Sequence, residues 1–163
     1  MKARSLLVAI GGAAVLIRSG WAAELTLGGV RIAQALSKKD SVVVVVQVDR
    51  QDTTSVWSGR MWGGEEWSPV ARHIGELKIA WADSAVWVPL SAYADLGDPR
   101  SVEFVKASKG ISFVVRGGDT STYYAARFFV ERGVLKRRRV SLAEFPDEIW
   151  QETTYSGPVR FNP

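Results

Sequence analysis

Lys136–Arg137–Arg138–Arg139 places four cations in succession. Such a run offers capture of an anion. Side chains alternate between the two faces of a strand, so Arg137 and Arg139 share one face, and Lys136 and Arg138 the other. Arg127, on the neighbouring strand, joins Arg137 and Arg139 in a candidate ligand-binding cation cluster. An acidic glycan, a phosphate-bearing lipid head group or an acidic protein would suit it. Two plainer readings stand beside this one. Charged residues on an edge strand block unwanted pairing. Glu144, Asp147, Glu148 and Glu152 also follow closely enough to neutralise the run from within.

Aromatic residues form the second constellation. Trp57, Trp62, Trp67, Trp81 and Trp87 fall within 31 residues. Exposed indoles stack on the apolar faces of sugar rings or anchor a protein interface, whereas buried ones fill the interior of a small β domain. Trp62 and Trp67 are the candidates for exposure and ligand contact, because Gly63–Gly64–Glu65–Glu66 between them reads as a loop tip.

Catalytic and metal chemistry find little support. His73 is the single histidine and there is no cysteine. A zinc site needs three or four ligands, and only carboxylates such as Glu66 or Glu76 are at hand to help. No G-x-S-x-G element is present. Glu65–Glu66 and Asp147–Glu148 are adjacent, so on a strand their carboxylates point apart, unlike the facing pair of a glycosidase. Asp95 and Asp98 read as turn caps, and Gly117–Gly118–Asp119 as a hairpin turn. No catalytic residue, metal site or cofactor is expected. A hydrolase acting on an envelope polymer through His73 or a carboxylate pair is the alternative to a binding domain. A structural envelope protein assembling through a strand edge is the third reading.

Strands must position these groups. Leu25–Leu36 reads as a short strand followed by a turn at Gly28–Gly29, or as a strand and a helical turn. Val42–Val48 is almost wholly β-branched, which predicts a strand buried on both faces, at least at its centre. Val56–Trp62 reads as a strand. Ile74–Trp81 alternates, with Ile74, Glu76, Lys78 and Ala80 on one side and Leu77, Ile79 and Trp81 on the other. Ala85–Leu90 reads as another strand, with Pro89 at its end, and Ser91–Leu96 as one helical turn. From Ser101 to Ser141 the pattern predicts a four-strand antiparallel meander with glycine turns. A two-residue loop at Lys109–Gly110 would set Phe104 opposite Val115. Tyr124, Ala126, Phe128 and Val130 form one apolar face. Phe145–Ser156 is either a short helix or a closing strand. The expected class is mainly β, an antiparallel sandwich or small barrel, with an α+β domain carrying one short helix as the alternative.

The N-terminus changes the charge reading. A basic start at Met1–Arg4 precedes twelve apolar residues, Leu6–Ile17, and then small residues ending at Ala22–Ala23. That order is the plan of a secretory signal peptide over residues 1–23, cut after Ala22 or Ala23. The apolar run falls short of the roughly 20 residues of a membrane span. Residues 24–163 then form one domain in the periplasm or outside the cell, with no membrane span after the leader is cut. Of the 21 basic residues, Lys2, Arg4 and Arg18 leave with the leader while all 17 acidic ones stay, so net charge falls from +4 to +1. The broad basic field of a nucleic-acid binder is then lacking. An envelope glycan or protein is the expected partner, and oligomeric state is left open. The lone asparagine, Asn162, precedes Pro163 and offers no glycosylation acceptor.

Overall fold

The computed structural model describes residues 22–37, 40–52, 61–64, 70–82 and 84–157. Its strands, in chain order, are β1 (Ala23–Glu24), β2 (Gly28–Ala35), β3 (Ser41–Arg50), β4 (Arg72–Trp81), β5 (Ser84–Val86), β6 (Pro99–Val105), β7 (Ile111–Gly117), β8 (Tyr124–Glu131), β9 (Val134–Leu142) and β10 (Ile149–Thr154). One antiparallel sheet runs β1-β6-β7-β8-β9-β10 and the other runs β2-β3-β4-β5. They pack face to face without closing into a barrel. The sandwich expectation therefore stands and the barrel does not form. Phe145–Ser156 supplies a strand, which removes the helix of the α+β alternative. Among the described residues, helical structure is limited to the 3-10 turns Leu90–Ala92 and Thr120–Thr122.

The core lies where the two inner faces meet. β7 and β8 contribute Phe113, Val115, Tyr124, Ala126, Phe128 and Val130, while β3 and β4 contribute Val42, Val44, Val46, Leu77 and Ile79. Phe113 and Phe128 are register partners, stacked with centroids 4.7 Å apart. Each fully buried phenylalanine contributes on the order of 2–3 kcal/mol from area removed from water. The Arg132–Gly133 turn has positive φ at both residues, 49° and 75°. That is the backbone a two-residue hairpin needs to match strand twist, and it joins β8 to β9.

Bulges and loop lengths account for the departures from simple alternation. β3 is buried along Val42, Val44, Val46 and Val48, but Val43 and Val45 are only half-buried. It is the second strand of a sheet with just one covered face. In β4 the register slips beside Gly75, so Ile74 joins Leu77 and Ile79 inside rather than Glu76 and Lys78 outside. A side chain at Gly75 would run into the Asp49 carboxylate. Phe104 pairs with Phe113, not Val115, because the β6–β7 connection is longer than two residues. The offset is two residues, and strand side chains repeat every two, so the same residues still face inward. Ala85–Leu90 is a strand only through Val86; the chain then enters the 3-10 turn at Leu90. Most of Val56–Trp62 lies outside the described residues. Trp62 itself makes an isolated parallel bridge to Leu96.

Candidate anion-binding site

The run Lys136–Arg139 lies on β9, which pairs with β8 on one side and β10 on the other. It is therefore not on an edge strand, and edge protection does not explain its charge. The register slips at Phe129/Val130, so Lys136 sits exposed beside the bulge instead of sharing a face with Arg138. Beyond the bulge alternation resumes. Arg139 lies opposite Arg127, Arg137 opposite Phe129, and Arg138 turns into the sandwich.

On the outer face three guanidinium groups surround one ring. The carbons at their centres stand 4.4 Å (Arg137), 5.0 Å (Arg127) and 5.7 Å (Arg139) from the Phe129 centroid. Cations are attracted to an aromatic face at such distances, so Phe129 holds the three together despite their mutual repulsion. Arg127 is fixed further: its Nε–H donates to Ser112 Oγ at 2.8 Å and its Nη2 to the Lys106 carbonyl. Burial, then the charges of Arg139 and Arg137, lowers its pKa from the ordinary arginine value. One carboxylate serves this group. Glu152, register partner of Arg139, bonds Arg139 Nε and lies 3.9 Å from Arg137 Nη1. Glu144, Asp147 and Glu148 are exposed and form no ion pair among the described residues. Among the described residues, internal neutralisation is thus confined to Glu152, and three cations face one anion.

Arg138 takes the opposite course. Only 1% exposed, it donates from Nη2 to Asp95 Oδ2 at 2.8 Å and from Nη1 to Asp95 Oδ1, forming a two-pronged ion pair. Nη1 also reaches the Ala92 carbonyl at 3.1 Å, and Nη2 reaches Gln151 Oε1 at 2.6 Å. Asp95 is consequently an ion-pair partner rather than a turn cap. Asp98 does not cap its own turn either: its Oδ1 accepts the amides of the distant Ala71 and Arg72 at 3.0 and 2.9 Å. Tyr124 donates to the Gly97 carbonyl at 3.0 Å nearby. Burial first, then the Asp95 and Asp98 charges, pushes its hydroxyl pKa far above the usual tyrosine value.

Trp62 does not stand at an exposed tip. It is half-buried against the core, its amide donates to the Asp95 carbonyl at 2.7 Å, and its indole Nε1–H donates to Gln151 Oε1 at 3.2 Å. Gly63 beside it, at φ +86°, is packed so closely that a Cβ would come 2.7 Å from the Gly97 carbonyl. Trp57, Trp67 and the Glu65–Glu66 pair lie outside the described residues. Trp81 packs against the core, while Trp87 is exposed. Trp150, 55% exposed, was not singled out by spacing; its ring lies 6.1 Å from that of Trp62, tilted by 47°. Its adjacency to Trp62 spans 88 positions in sequence, and no local pattern signals such a pairing.

His73 lies on β4 and lines an open cleft of about 350 Å³ with Arg50, Asp52, Met61 and Leu90. Glu76, its proposed helper, instead pairs with Lys78 at 2.7 Å. Among the described residues no three metal-ligating side chains cluster, and no helix is long and apolar enough to cross a membrane. In comparisons with family profiles, curated proteins and solved structures, nothing matches this chain.

Proposed function

We propose that the protein is an exported binding domain that captures an acidic polymer of the bacterial envelope or exterior through Arg127, Arg137 and Arg139. One observation carries this reading: three guanidinium groups converge on Phe129 with a single carboxylate among them in the described residues. Like charges directly opposite on neighbouring strands destabilise a sheet, so Arg127 across from Arg139 costs the fold something. An anionic ligand recovers that cost. Arginine presents a planar fork suited to carboxylate and phosphate. Because it keeps its proton throughout the physiological range, the cluster is suited to binding and not to acid–base catalysis.

The leader expected over residues 1–23 supports the compartment. Of its two cut sites, the one after Ala22 leaves β1 whole, with Ala23 paired to Val102. N-terminal sequencing of the protein recovered from the envelope or medium is expected to begin at Ala23 or Glu24; a chain beginning at Met1 would remove the export part of the proposal.

Calorimetric titration with polygalacturonate at low ionic strength tests the site. We expect binding that weakens with added salt and falls at least tenfold in an R127Q/R137Q/R139Q variant of unchanged fold. Equal affinity of the variant and the native protein would refute the assignment.

A further inference from the structure

Beyond the arginine cluster, we propose a second, uncharged site in which Trp150, backed by Trp62 and flanked by Gln151, stacks on the apolar face of a neutral sugar ring. The site is carried on β10, whose neighbouring residue Glu152 belongs to the arginine cluster on the outer face of the sheet.

The platform is rigid on one side and open on the other. Trp62 is fixed by its backbone, whose amide donates to the Asp95 carbonyl at 2.7 Å and whose carbonyl accepts from the Gly97 amide at 2.8 Å. Its indole N–H is spent on Gln151 Oε1. Trp150 leans on it and remains 55% exposed. A large exposed indole against an ordered backing presents apolar area with little flexibility to lose on binding.

Gln151 supplies the polar element that distinguishes sugar recognition from plain apolar docking. Two donors, Trp62 Nε1–H and Arg138 Nη2–H, converge on its Oε1. The orientation of the amide is thereby set by chemistry, since only the oxygen can accept both. Its two amide protons have no partner among the described residues. A stacking ring beside a pre-oriented amide donor matches a pyranose, which offers an apolar face and hydroxyl acceptors at its rim. Charge argues for a neutral ring. The ions bonded beside Gln151, Arg138 and Asp95, neutralise each other in a two-pronged pair. The exposed Asp147 and Glu148 just before Trp150 in sequence disfavour an acidic ring, whereas the arginine cluster carries unbalanced positive charge.

The test is tryptophan-fluorescence and calorimetric titration with cellohexaose, chitohexaose and xylohexaose, using the native protein, W150A and the R127Q/R137Q/R139Q variant. Trp150 is exposed, so W150A should fold, which far-ultraviolet circular dichroism and the melting temperature would verify. We expect at least one hexaose to shift the native emission, with about tenfold weaker binding in W150A and unchanged binding in the arginine variant. Trp62→Phe, which keeps a ring but loses the indole N–H, should lie between. Failure of all three sugars to bind, or equal affinity in W150A, would overturn the proposal. So would light scattering that shows a dimer dissociated by W150A, since a second copy would then be the occupant. Loss of polygalacturonate binding in the arginine variant alone reports on the other site, so the two claims fail separately.

Discussion

Arg138 and Arg139 are neighbours in sequence and nearly opposite in circumstance. Arg138 is sealed inside, bonded to Asp95, Gln151 and the Ala92 carbonyl. Arg139 faces outward, crowded by Arg127 and Arg137 and sharing one glutamate. A run of like residues on a strand is therefore two populations, sorted by the pleat. The inner one has its charge matched by the fold. The outer one has excess charge that the fold does not match. That contrast separates structural arginine from ligand-seeking arginine, and it predicts different responses to the same substitution.

The largest effect should come from the inner side. Removing one partner of a buried ion pair leaves an uncompensated charge, so Asp95→Ala or Arg138→Ala should lower stability by about 3–5 kcal/mol, read by urea denaturation. Replacing both at once, as Asp95→Leu with Arg138→Met, should recover much of that loss. On the outer face, Arg139→Gln should change stability by no more than about 1 kcal/mol, as for exposed pairs. If the two arginines prove equally important to stability, the division between them fails.

Ligand binding should show the reverse ranking. Arg137→Gln and Arg139→Gln should weaken polygalacturonate binding several-fold each, while the Asp95→Leu/Arg138→Met pair should leave it nearly unchanged, provided the fold is retained. Calorimetry at fixed ionic strength distinguishes these outcomes.

High pH sharpens the inner half of the comparison. Tyr124 has a folded pKa raised by burial and by Asp95 and Asp98. A group that holds its proton more tightly when folded contributes stability below its unfolded pKa, near 10, and loses it as pH rises toward the folded value. Stability should therefore decline above about pH 10. Tyr124→Phe should flatten that decline, although it also forfeits the bond to the Gly97 carbonyl. An unchanged alkaline slope in the variant would contradict this account of Tyr124.

The smallest expected effect is a gain. Glu152 lies between Arg139 and Arg137 as a carboxylate already inside the fold. Glu152→Gln should strengthen polyanion binding about two- to threefold, since competition is weak at exposed pairs. Weaker binding would mean that Glu152 positions the arginines rather than competes for them.

Much of this geometry was legible in the sequence. The alternation of Tyr124, Ala126, Phe128 and Val130 fixed the inner face of β8, and the same rule brought Arg127, Arg137 and Arg139 to one outer face. The period-2 signal survives an error in hairpin length, as Phe104 and Phe113 show. It does not survive a bulge: Gly75 shifted Ile74 inside, and the slip beside Lys136 separated it from Arg138. The Arg138–Asp95 pair and the Trp62–Trp150 contact depend on how distant segments pack, 43 and 88 positions apart. Tertiary pairings at that range leave no local periodicity to read.

The central claim is that the outer arginines, and not the inner one, hold the ligand. The most direct measurement is a two-dimensional NMR titration that follows the arginine Nε–H and Phe129 ring signals as a galacturonate oligomer is added. Shifts are expected at Arg127, Phe129, Arg137 and Arg139, with Arg138 unmoved. Shifts centred on Arg138 or elsewhere in the sandwich, or no shifts at all, would contradict it.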